Sequence, residues 1–192
     1  MFTPSESQRS VISAFLEAHE ELLRREIIFL TEDVIDPPKP AVNQELAIHA
    51  PEALQEGPAA RLANFLLELT KGMKGEQVDE ATLRDGLSIV SGLVNEAHQE
   101  ERVLTKMTSG GALESRMRQK FELRKDEPFK PEQKKHLDRL LARRGEELKA
   151  VKDDMPVLEA LQHDIISLLK ALDIQTTVRP RHDRDGETRG VA

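Results

Sequence analysis

The chain's six histidines, His19, His49, His98, His136, His163 and His182, are the side chains whose spacing bears most directly on metal and acid–base chemistry. A zinc helix of the HExxH kind needs two histidines four residues apart, and no pair here has that spacing. Di-iron bundles place a Glu three residues before a His, and none of these histidines has one. Glu132/His136 and Glu159/His163 lie one helical turn apart, a spacing that gives a surface contact worth roughly 0.3 kcal/mol. His98 beside Glu100 and Glu101 is a cluster along the sequence only. With no cysteine, thiolate metal sites, disulfides and Cys nucleophiles are excluded. No metal, no cofactor and no catalytic residue is expected.

Anion chemistry has two candidates. Ser109-Gly110-Gly111 opens a helix carrying Arg116, Arg118 and Lys120, and a helix start after glycines favours anions. It is neither a P-loop nor a dinucleotide fingerprint, so it reads as a turn between helices. The second candidate is wider. From Arg116 to Arg144 there are 11 Lys/Arg against 5 Asp/Glu, a local +6, while the whole chain carries −7. Arg116, Arg118, Lys120, Lys134, Lys135, Arg139 and Arg143 are its candidate contact residues, for a protein partner or, as the alternative, for nucleic acid through phosphate charge. Interleaved acids, the acidic total and only six Phe with no Trp or Tyr weaken the nucleic-acid alternative.

The elements that position these residues are helices. Leu137, Leu141, Arg144, Leu148, Val151, Met155, Leu158, Gln162, Ile165, Leu169 and Leu172 repeat at alternating four- and three-residue steps. Such a seam faces another helix along its length, as in a coiled coil or bundle. Leu83, Leu87, Val90, Val94, Ala97, Glu101 and Leu104 form a second seam of the same kind. Arg144 and Gln162 in one and Glu101 in the other are the polar exceptions, the type of residue that fixes register. Their matching gaps suggest a Glu101–Arg144 pair if the helices run antiparallel. Pro156 costs a helix interior about 3 kcal/mol, yet the seam passes it in phase, so a kinked but continuous helix is expected.

Helices are therefore expected over about 6–31, 58–71, 79–107, 112–125 and 131–173, with an irregular connector at 36–57 and a flexible tail at 176–192. Asp79 is placed to cap the third, and Pro58 and Pro131 suit first turns. In the first helix Val11, Phe15, Ala18, Leu22 and Phe29 share one stripe, with Ile12, Leu16, Leu23 and Ile27 beside it. Ile27, Ile28, Phe29 and Leu30 are consecutive, so Ile27, Ile28 and Phe29 are candidate partner contacts. Gly86, Ser91 and Gly92 weaken the third helix but suit a close neighbour.

The expectation is an all-α, elongated bundle of four to five helices within residues 1–175, with a long kinked C-terminal helix and coiled-coil-like seams. Its function is expected to be that of a non-enzymatic interaction protein, an adaptor, regulatory subunit or assembly factor, with protein partners or a second copy of itself. No run approaches a membrane span, and the start, Met1-Phe2-Thr3-Pro4-Ser5-Glu6, is unlike a signal peptide, so a cytoplasmic protein is expected.

Overall fold

The computed structural model of the chain describes residues 1–35, 57–109 and 111–176. Its helices are α1 (Glu6–Ile35), α2 (Pro58–Met73), α3 (Glu80–Thr108), α4 (Ala112–Lys120) and α5 (Pro131–Ala171). The all-α bundle expected from the spacing is what forms. Apart from Gly57 and Thr176, the connector and the tail lie outside the described residues.

At the starts of α1 and α3 the local chemistry supplies partners for free amides. At α1 the Ser5 amide donates to Gln8 Oε1 at 3.0 Å and the Gln8 amide to Ser5 Oγ at 3.3 Å, a reciprocal capping box. Pro58 and Pro131 occupy first turns. Asp79 caps α3, accepting from the amides of Ala81 and Thr82 at 3.3 and 3.2 Å and from the Thr82 hydroxyl at 2.8 Å. The Thr82 hydroxyl, with the Ala81 amide second, holds the Asp79 carboxyl below its usual range. Asp79 is itself held: its amide donates at 2.9 Å to the buried Glu68 of α2.

Helix ends follow one device three times. The residue past the cap turns left-handed, and the next amide reaches back to a carbonyl five residues earlier. Gly75 does this for α2, Glu122 for α4 and Asp173 for α5, with Glu76, Leu123 and Ile174 donating to Lys71, Arg118 and Leu169 at 3.1, 2.9 and 2.9 Å. The turn at Glu122 corrects the expected end of α4 from 125 to Lys120. α5 runs unbroken through Pro156.

α1, α2, α3 and α5 meet around one core. Ile12, Leu16 and Leu23 of α1, Leu62, Phe65 and Leu69 of α2, Leu83, Leu87 and Val90 of α3, and Leu161, Ile165 and Leu169 of α5 are buried in it. Of the broad face expected on α1, Ile12, Phe15, Leu16 and Leu23 are buried, together with Leu30, whereas Val11, Ala18 and Phe29 are exposed. One end is closed by Phe2 and Val78, which exchange backbone hydrogen bonds of 3.1 and 2.9 Å. At the other end α4 packs on α3 and α5, near the buried Leu104, Met117 and Leu137.

α3 and α5 make the most extensive contact and run antiparallel. Arg84 donates to the Gln175 carbonyl at 3.1 Å, Gln162 to Ser91 Oγ at 2.8 Å, and His98 Nε2 lies 2.8 Å from Glu159. In that register Glu101 meets Lys152 at 4.0 Å. The expected Glu101–Arg144 pair is thereby corrected: Arg144 bonds Glu147 on its own helix. Antiparallel helices that meet at 91/162 and again at 101/152 carry position 144 well past 101.

At Gly86 the backbone of α3 lies directly against Phe65 of α2. A Cβ there would lie 2.3 Å from the Phe65 ring, whereas one at Gly92 would have nothing within 4 Å. Ala at either site gains about 1 kcal/mol of helix propensity. At Gly86 it must also displace a buried aromatic ring, at a typical overpacking cost of about 1–3 kcal/mol. Urea unfolding should therefore find Gly92→Ala more stable than the native chain and Gly86→Ala less stable. Equal midpoints for the two variants would contradict the packing described.

Candidate docking cleft

Helix length determines where the bundle is open. At 1.5 Å per residue, α2 spans about 24 Å, against about 45 Å for α1, 44 Å for α3 and 62 Å for α5. α2 packs on α1 and α3 and can follow each for only about half of its length. Beyond its start, Arg25, Glu26 and Phe29 of α1, Leu93, Glu96, Ala97 and Glu100 of α3, and Ala150, Val151, Asp154 and Leu158 of α5 line a cleft of about 600 Å³. A shallower depression of about 390 Å³ shares Glu96 and Glu100 with it and continues along α3 and α5 past Val103, Leu104 and Met107 to Arg144 and Glu147. From Leu93 to Met107 this is about 21 Å of α3, roughly four turns.

Its floor is apolar and incompletely covered. Leu93, Ala97, Ala150, Val151 and Leu158 form it; Val151 and Leu158 are only half-buried, as are Leu141, Leu148 and Met155 elsewhere on the α5 seam, while Leu161, Ile165 and Leu169 are buried. Phe29 is 53% exposed and Ile28 60%. The walls are acidic. Among the described residues Glu96, Glu100 and Asp154 have no basic side chain within 4.0 Å, whereas Glu26 has Arg25 at 3.4 Å and Glu147 holds Arg143 and Arg144. The Arg144 guanidinium, with Arg143 second, keeps the Glu147 carboxyl below its usual range.

Below the cleft, histidines fasten α5 to its neighbours. His19 of α1 lies 2.9 Å from Asp164 Oδ2 and stacks beside Phe15, with ring centroids 4.9 Å apart. His163 approaches Asp164 Oδ1 at 3.3 Å. So Glu159 serves His98 on α3, and the partner of His163 is Asp164, not Glu159 one turn earlier.

The basic candidates separate by what they touch. Arg118 is bound internally: it pairs with Glu114, donates to the carbonyls of Arg124 and Glu127 at 3.1 and 2.7 Å, and lies 4.6 Å from the Phe129 ring centroid. Arg143 and Arg144 are occupied by Glu147. Arg116, Lys120, Lys134, Lys135 and Arg139 are exposed. The Ser109 hydroxyl donates to the Thr105 carbonyl at 2.8 Å, so at the entry to α4 it is already engaged. Of the apolar candidates, Ile27 packs partly against the core and Phe29 lines the cleft.

Leu93, Glu96, Glu100 and Asp154 did not stand out in the sequence. Their signal was indirect: the 58–71 helix is much shorter than its partners, so part of their seams must lack a cover.

Asp164 gives the bundle a dependence on acid. The contacts with His163 and then His19 lower its pKa in the folded chain. A carboxyl lowered on folding contributes stability above its unfolded value of about 3.9 and loses it as pH falls through the folded value. Asp164 is 46% exposed, so solvent screening limits the contribution to about 1 kcal/mol or less. Asp164→Asn should be slightly less stable than the native chain at pH 6. Chemical denaturation between pH 6 and pH 2.5 should show that difference vanishing at the acid end; a constant difference would mean the carboxylate is not the cause.

Neither a protein-family model, nor a curated protein sequence, nor a solved structure matches the chain.

Proposed function

We propose that this chain is a non-enzymatic helical interaction protein, an adaptor or assembly factor of the cytoplasm, and that it seats a segment of a protein partner in the cleft between α1, α3 and α5. The observation that carries the reading is the incomplete cover of a continuous apolar seam among the described residues: Val151, Met155 and Leu158 keep their heptad phase but are only half-buried, whereas Leu161, Ile165 and Leu169 further along α5 are fully inside the four-helix core. An apolar surface of this kind with polar walls is the usual character of a groove that receives a helix. Among the described residues no helix is long and apolar enough to cross a membrane, which agrees with a protein met by its partners in water.

The alternative, nucleic acid at the basic segment, is the weaker one. Arg118, Arg143 and Arg144 are spent on internal bonds. The exposed remainder alternates with Glu122, Asp126, Glu127, Glu132 and Asp138.

The test places a photo-crosslinking residue at Phe29 or Val151, inside the cleft, and at Ala14 or Ser88, on exposed faces elsewhere. In cells that express the protein, the two cleft positions should give one common protein adduct that the outer positions do not. With that partner purified, Phe29→Glu should weaken the complex by about tenfold or more, as loss of a central aromatic anchor does. Adducts indifferent to position, or an affinity unmoved by Phe29→Glu, would refute the docking role.

A further inference from the structure

Resting on the docking reading of the cleft, we infer the chemistry of its occupant: a cationic amphipathic helix of a partner protein, its apolar face on Phe29, Val151 and Leu158 and its Lys or Arg side chains on Glu96, Glu100 and Asp154. The walls dictate the sign. Those three carboxylates stand without basic partners among the described residues, and a docked helix would remove part of their water. Desolvated carboxylates are costly unless paired, so an occupant with neutral or acidic flanks is disfavoured and one with basic flanks is selected.

The arrangement of the walls sets the pattern. Glu96 and Glu100 are one turn apart on α3, and Asp154 lies across the cleft on α5. Acid on both sides calls for cations on both sides of a narrow apolar stripe. The roughly 21 Å from Leu93 to Met107 matches about four turns of helix.

Occupants from this chain fit less well. The connector 36–56 has the wrong sign, with Lys39 against Asp36, Glu45, Glu52 and Glu56. The 116–144 segment of a second copy has the right sign, but its Met117 and Leu137 are buried in their own bundle and leave no apolar stripe to insert. An anionic lipid surface would be repelled by the same carboxylates.

The test uses the full chain and two designed peptides of about 18 residues, five helical turns, that share one Leu stripe and carry either Lys or Glu on its flanks. Calorimetric titration should show the Lys peptide binding at least about tenfold tighter than the Glu peptide, with affinity falling as salt rises. The double variant E96K/E100K, at two exposed positions, should reverse the preference, its folding checked by urea unfolding. Equal or tighter binding of the Glu peptide would overturn the cationic assignment and leave the docking role standing. No binding of either peptide would overturn both. Binding of the Lys peptide seen only as it splits a dimer, followed by sedimentation, would make a second copy the occupant and refute the partner assigned above.

Discussion

The shortness of α2 is the constraint on which the rest of the molecule depends. A four-helix arrangement buries an apolar stripe on every member, and a helix of 16 residues can do that for only about half the length of neighbours of 30 and 29 residues. Where α2 is present, side chains on all four helices reach zero exposure: Ile12, Phe65, Val90 and Ile165 are examples. Where it stops, the same α5 seam keeps its spacing but is only half-buried among the described residues. The closed half supplies the stability and the open half a surface with an unsatisfied apolar face. The Phe65–Gly86 contact holds α2 close to α3 within the closed half, so that Phe65 fills the layer where it also meets Phe15 edge-on at 6.4 Å.

Register between α3 and α5 is set by polar contacts along an apolar seam. A heptad stripe of Leu and Val tolerates a slip of one repeat, because apolar contacts are not directional. Gln162 with Ser91, His98 with Glu159 and Lys152 with Glu101 meet in one alignment. The half-exposed ion pairs are worth little as stability, yet a slip would forfeit all of them together. Arg144, further out, takes its partner from its own helix, so it is relieved of charge without reaching across the seam.

Much of this architecture could be read from residue spacing, and the failures have physical causes. The helices appear because four- and three-residue steps leave a mark over many turns, and Asp79, Pro58 and Gly75 mark ends through chemistry that is local. The end of α4 was hidden because Glu122, a residue with no special preference for left-handed backbone, stands where Gly is usual. The apolar face of α1 reads broader in the sequence than the part that is buried, because Val11, Ala18 and Phe29 make a stripe as regular as that of Ile12, Leu16 and Leu23; only contact with α2 and α5 selects between them. Arg118 read as a free cation because the carbonyls it binds, at Arg124 and Glu127, are brought to it by a turn the sequence does not announce. The cleft was the least visible feature, being a difference between helix lengths and not a motif.

Charge follows the same division of the molecule. The basic excess of 116–144 sits at the tip where α4 joins α3 and α5, and part of it is neutralised there by Glu114 and Glu147. The acid that makes the whole chain negative includes Glu96, Glu100 and Asp154, which border an apolar floor. A protein that needed only to stay soluble would gain as much from carboxylates anywhere on its surface. Carboxylates on both walls of a half-covered seam do something more specific: they make burial of that seam conditional on the charge of what covers it. The short α2 leaves the apolar floor available, and the walls decide what can lie on it.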